Sequence, residues 1–151
     1  MLFHDAALSF LHFTFAFILV GALAAEAFVL RLPVDGRVAR LLLRIDLFYA
    51  IGAVGVIAAG LARVFWGAKD AAYYASQPFF WAKMAVFALV GLISIAPTRR
   101  FFAWVKQAGT DAGFIAAEAE AKRVRRLVMV ELHLLALVPL FAALMARAIG
   151  S

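Results

Sequence analysis

The sequence predicts an all-α integral-membrane fold, an antiparallel bundle of four spanning helices with both termini extracytoplasmic, and three observations carry that expectation. The first is composition. Of 151 residues 67% are hydrophobic and 16% charged, with a mean hydropathy of +0.98, against about 45–50% apolar and about 25% charged in soluble domains. A soluble core of this size cannot hide that much apolar surface, so the surroundings must be apolar too. The second is pattern: four apolar runs, each long enough to cross about 30 Å of hydrocarbon at about 1.5 Å per residue. The third is the placement of the basic residues, which gather in two of the three connectors. One domain over residues 1–151 accommodates all of this, with no room for a separate soluble domain.

The first run, from about residue 6 to 30, contains His12 and Glu26. It follows a start without lysine or arginine and is too long for the apolar core of a cleaved leader, so it reads as the first spanning helix. In the connector RLPVDGRVARLLLR, Pro33 and the Asp35-Gly36 pair mark a turn flanked by four arginines. The second span, about 43–65, is interrupted chemically only by Asp46 near its start and Arg63 near its end. Its Gly52, Ala53, Gly55, Ala58, Ala59 and Gly60 permit close backbone approach, which argues for packing. Trp66, Tyr73, Tyr74, Phe79, Phe80 and Trp81 cluster around the next connector as an interfacial aromatic belt.

The third span, about 79–97, carries Lys83 as its only charge. Pro78 suits the first turn of a helix, and Pro97 with the arginines after it reads as an exit into headgroups. Residues 111–126 form an amphipathic cytoplasmic segment rich in helix-forming alanine, glutamate and lysine, predicted as a helical piece along the surface or an extension of the next helix. The last span, about 127–147, contains Glu131, His133 and Pro139.

Counting positive residues orients the bundle. Arg31, Arg37, Arg40 and Arg44 belong to the first connector, and Arg99, Arg100, Lys106, Lys122, Arg123, Arg125 and Arg126 to the third, which makes eleven of fifteen. The positive-inside rule then places both basic connectors in the cytoplasm of a bacterial inner membrane. The net charge of +6 sits beside apolar runs, so the partner it points to is the lipid bilayer and not nucleic acid. Cysteine is absent, which excludes disulfides, thiolate metal sites and thiol catalysis. No phosphate-binding loop, nucleophile elbow or persuasive metal-ligand spacing occurs.

With that orientation the ionisable residues fall into two layers. His12, Arg63 and Lys83 share a depth of roughly 5–8 Å below the outer surface, while Glu26, Asp46 and Glu131 lie near the cytoplasmic ends of their helices. Each layer has a bland reading: snorkelling basic side chains and a hydrogen-bonded imidazole outside, and inside, carboxyls that pair with nearby arginines, or with Tyr49 in the case of Asp46, to fix helix register. His133 lies much deeper than His12, so the two cannot clamp one haem, and it lies about 200° around the helix from Glu131. It reads as structural. His4 reads as a solvated side chain outside the membrane.

The runs LHFTFAFILVGALAAEAFVLR, RIDLFYAIGAVGVIAAGLARVFWGAKDAAYYASQPFFWAKMAVFALVGLISIAPTRRFFAW and PLFAALMARAIG together resemble a family of small bacterial inner-membrane proteins of unknown function. That resemblance implies a four-helix membrane fold and no particular activity. Leu11-His12, Gly21-Ala22-Leu23 and Trp81-Ala82-Lys83 are also similar to short motifs of the HemJ-type protoporphyrinogen oxidases and the CopD-type copper-resistance proteins. This remoter resemblance implies haem binding and activity at His12 and Lys83, although Ala96-Pro97-Thr98 stands where the HemJ-type proteins carry a further histidine.

Three functional classes follow. A haem-binding or redox membrane protein would use His12 as metal ligand, Lys83 as second ligand or propionate partner, and Arg63 toward a propionate. A proton- or cation-coupled carrier or assembly factor would use Glu26, Asp46 and Glu131. A structural accessory subunit would pack its small-residue faces against a second copy or another membrane protein. No substrate or reaction is legible.

Overall fold

Hydrocarbon offers no partner to backbone N–H and C=O groups, so an apolar run that enters it satisfies them within a helix. A computed structural model describes residues 2–67 and 71–147, and these residues follow that rule. The elements are α1 (Leu2–Val29), α2 (Gly36–Trp66), the short α3 (Ala71–Ala75), α4 (Pro78–Thr110) and α5 (Glu118–Arg147), with no strand among the described residues. The four long helices are each long and apolar enough to cross a membrane. At 28, 31, 33 and 30 residues they measure about 42–50 Å, well beyond the roughly 30 Å of a hydrocarbon core. Lys69, one of the fifteen basic residues, and the side chain of His4 lie outside what is described.

Local chemistry sets the helix ends. Asp35 caps α2 by accepting a hydrogen bond from the Val38 amide at 2.8 Å, the usual way to satisfy an orphan donor of a first turn. Pro78 sits in the first turn of α4, where its missing N–H leaves nothing unpaired. Pro97 does not end that helix as the sequence led us to expect. The helix runs through it to Thr110, and Pro97 itself is buried against the bundle. A membrane helix tolerates this break because neighbouring helices and serine or threonine hydroxyls serve the freed groups.

The segment expected to be helical from residue 111 also differs, since α5 begins only at Glu118. Asp111 closes a tight turn by accepting from the Gly113 amide at 2.9 Å, and the Ala116 amide donates to the Val34 carbonyl at 2.9 Å beside an isolated Asp35–Ile115 bridge. That pairing clips the α1–α2 connector to the α4–α5 connector. Both basic connectors therefore lie at one end of the bundle.

Buried positions recur at three- and four-residue intervals: Leu19, Ala22, Leu23, Glu26, Ala27 and Leu30 around α1, then Ala121, Val124, Val128, Glu131 and Leu135 along α5. This is the stripe of a helix packed on one face. α1 packs chiefly on α2 and α4 on α5, with α2–α4 and α1–α5 contacts closing the ring. The α1–α2 seam is the tightest, because a Cβ on Gly52 would lie 2.8 Å from the Leu19 backbone nitrogen and one on Gly55 would strike the Phe15 ring. The outward faces keep large apolar side chains exposed, among them Phe17, Leu47, Val54, Leu92 and Leu140, as lipid-facing surfaces require.

Candidate functional site

The inward stripes of α1, α2 and α5 carry one carboxyl each. Glu26 is 1% exposed, Asp46 6% and Glu131 0%, so all three acids read from the sequence face the bundle interior. They are near enough to feel one another's charge. None has a cationic partner: the ion pairs among the described residues are Arg100–Glu120 and Lys122–Glu118, both outside this layer. Asp46 instead accepts from the Thr98 hydroxyl of α4 at 2.9 Å, which corrects the expected pairing with an arginine or with Tyr49.

Tyr49 lies one turn beyond Asp46 on the same buried stripe and reaches toward Ser94 of α4 and Glu131 of α5. Even so, Glu26 Oε1 and both oxygens of Glu131 are buried with no donor in hydrogen-bonding geometry. The layer thus combines three carboxyls and three hydroxyls from all four long helices. Ser94 and Thr98 were missed by sequence reasoning; their only signal was that they are hydroxyl residues within one turn of Pro97 in an apolar helix. The carboxyls do not converge on a single point, and no group of three histidine, aspartate or glutamate side chains among the described residues is close enough to hold a metal ion.

At the other end, the structure brings the second set together as well. His12 rests on Gly60 so closely that a methyl group there would sit 3.5 Å from Cε1, and Gly60 is one turn before Arg63 on α2. The charges of Arg63 and Lys83 both act on His12, and that of Arg63 on Lys83. His12 Nδ1 and Arg63 Nε are buried with no partner in strict hydrogen-bonding geometry, although the imidazole lies toward the Val56 backbone, and the Lys83 ammonium stands 5.7 Å from the centroid of Phe80. His133 is apart from both sets, exposed on the outer face of α5 with Nδ1 at 2.6 Å from the Met129 carbonyl of its own helix.

The two layers are separated by about 14 helical residues, or roughly 21 Å. Between the layers the buried positions include Leu19, Gly52, Gly55, Val90 and Leu135. A carboxyl–hydroxyl cluster can pass a proton among its members. A cluster of imidazole, guanidinium and amine can hold an anionic oxygen group or, through an unprotonated nitrogen, a metal.

Comparison with known proteins gives one family. The family described as "Predicted membrane protein (DUF2214)" matches residues 4–150. No curated protein and no solved structure matches the chain, so the likeness to HemJ-type and CopD-type proteins rests on the short motifs alone.

Proposed function

Because this chain belongs to the DUF2214 family of predicted membrane proteins, we propose a function performed from within the bilayer: a proton-coupled carrier or assembly factor whose proton-binding site is Glu26, Asp46 and Glu131. One observation carries it. Three carboxyls from three helices lie in the apolar interior without a cation, and three of their oxygens have no donor. Acids that face a membrane bundle interior are a functional-site hypothesis by default, as members of proton relays or ion paths, and an anchoring role would call for donors that Glu26 Oε1 and the Glu131 oxygens lack in hydrogen-bonding geometry. Asp46, with Thr98 and the nearby Tyr49 and Ser94 hydroxyls, supplies groups that accept and hand on a proton.

The test is proton flux into vesicles. Purified protein is reconstituted with an entrapped pH-sensitive dye and a potassium diffusion potential, and the rate is compared with Glu26→Gln and Glu131→Gln. Flux above protein-free vesicles that both substitutions abolish supports the reading. Wild-type flux equal to that of empty vesicles, or unchanged flux in both variants, overturns it.

The gathering of eleven basic residues at one end supports an orientation in a bacterial inner membrane with that end in the cytoplasm and both termini outside. Cysteines introduced at positions 3, 36 and 110 test it. Only position 3 should react from outside intact cells, and labelling of 36 and 110 would reverse the topology.

A second reading is favoured by the buried His12 Nδ1 beside Arg63 and Lys83. By donor chemistry alone these residues would suit a haem, His12 offering a ligand to the iron, Lys83 a second ligand or a propionate partner and Arg63 a propionate partner; the bound group would supply one-electron chemistry. An optical spectrum after expression with haem supply decides. A Soret band lost in His12→Ala supports this reading, and its absence in wild type ends it.

A further inference from the structure

Beneath the clipped connectors at the basic end lies a groove of about 310 Å³ that includes Arg31, Val34, Ala116, Glu118, Lys122 and Arg125 in its walls. That volume would hold about ten waters. Its floor is closed: Val34 and Ala116 are buried and their backbones are hydrogen-bonded to each other. Its charge is unbalanced, because Glu118 is already paired with Lys122 at 2.7 Å while Arg31 and Arg125 have no carboxylate partner among the described residues.

The rim is apolar. Leu32 and Ile115 are exposed, as is Phe28, and the Arg31 guanidinium stands 5.1 Å from the centroid of the Phe28 ring. Two guanidinium groups therefore open beside lipid-facing hydrocarbon. Guanidinium groups bind phosphate oxygens in forked pairs, and basic pockets between membrane helices suit anionic headgroups. A soluble anion would use the charge and leave the apolar rim bare, whereas an anionic lipid uses both.

We propose that this groove seats the phosphate of an anionic phospholipid headgroup, with Arg31 and Arg125 on the phosphate and Leu32, Ile115 and Phe28 along the upper acyl chains. The seat is independent of the carboxyl layer and of the orientation argued above. It differs from general attraction to a negative surface in being saturable, with one lipid per protein chain.

Native mass spectrometry of the purified full chain tests it, with dioleoylphosphatidylglycerol and dioleoylphosphatidylcholine as probes. One phosphatidylglycerol should be retained in preference to phosphatidylcholine. Arg31→Gln with Arg125→Gln should weaken that retention about thirtyfold, the equivalent of about 2 kcal/mol at about 1 kcal/mol per basic residue. The control Arg40→Gln with Arg44→Gln removes the same charge at the same end outside the groove and should change retention less than about threefold. Arg31→Lys with Arg125→Lys keeps the charge, guarding against a folding defect, and should fall between the two because the fork is lost. Equal losses in the groove and control pairs, or equal retention of the two lipids, would overturn the seat. Displacement of the bound lipid by millimolar inorganic phosphate would overturn the lipid source in favour of a free phosphate, and failure to displace it supports the lipid.

Discussion

At the basic end Trp104 is fully buried, stacks obliquely on the equally buried Phe101 at 5.9 Å, and donates through Nε1 to Glu120 at 2.8 Å, while the other oxygen of Glu120 receives Arg100 at 2.8 Å. At the opposite end Trp66 is 70% exposed, Trp81 is exposed as well, and no ion pair among the described residues joins His12, Arg63 or Lys83 to an acid. The same residue types serve two purposes. The helices are longer than the bilayer, and the surplus turns of α4 and α5 lie at the basic end, where water permits the polar contacts of a soluble core. There they form a latch. Elsewhere the tryptophans lie on the surface, where the sequence leads one to expect an interfacial belt, and the helices are held by small-residue packing.

The largest expected effect tests that difference directly. Trp104→Ala removes a buried ring whose space the surrounding Phe101 and α5 stripe fill only in part, and should lower stability by about 3–5 kcal/mol. Trp66→Ala should change it by less than about 0.5 kcal/mol, as for other exposed sites. Unfolding in mixed micelles of increasing denaturing detergent measures both. Similar losses for the two tryptophans would remove the distinction between latch and belt.

Glu120 comes next. Its ion pair with Arg100 is half in water and contributes little, but its hydrogen bond satisfies a buried indole N–H. Glu120→Ala leaves that donor orphaned and should lower stability by about 1–3 kcal/mol. Glu120→Gln keeps an acceptor and should lose less than about 1 kcal/mol. If the two variants are equally destabilised in the same titration, the ion pair rather than the indole holds the latch.

The latch was the part least legible in the sequence, and the reason is physical. Apolar runs fix where helices cross, because hydrocarbon demands them, and counting residues along each run placed His12, Arg63 and Lys83 at one depth and the three acids at another. Contacts across the chain leave no such trace. Thr98 and Asp46 are 52 positions apart, and the Val34–Ala116 bond that keeps residues 111–117 out of helix joins two connectors that look like independent loops. Pro97 misled for a related cause: its local preference is to end a helix, and burial against neighbouring helices overrides it. Which acids face inward was legible only by angle, as for Glu131 against His133.

Asp46→Asn should have a smaller effect. The amide oxygen can still accept from Thr98, and hydrogen bonds between membrane helices average about 0.6 kcal/mol, so the loss should be no more than about 1 kcal/mol. Proton flux, if Asp46 belongs to the proton-binding site, should fall far more than stability does. A variant that keeps full flux would reduce the site to Glu26 and Glu131.

Lys83→Met should change stability least, and the balance of terms says why. The substitution removes an ammonium group that lies over Phe80, a contact of about 0.5–2 kcal/mol at a half-buried site, and it also removes the cost of burying that charge and its repulsion with Arg63. Methionine keeps most of the apolar stem that packs along α4. These gains and losses are similar in size, so the net change in the detergent titration should lie within about 0.5 kcal/mol of zero. The corresponding change at the basic end, Arg100→Met, disturbs the acceptor that holds Trp104 and should be the more damaging of the two. A clear loss of stability in Lys83→Met would mean that the basic cluster, like the latch, holds the helices together. An unchanged stability with a lost Soret band would mean that it holds a ligand instead.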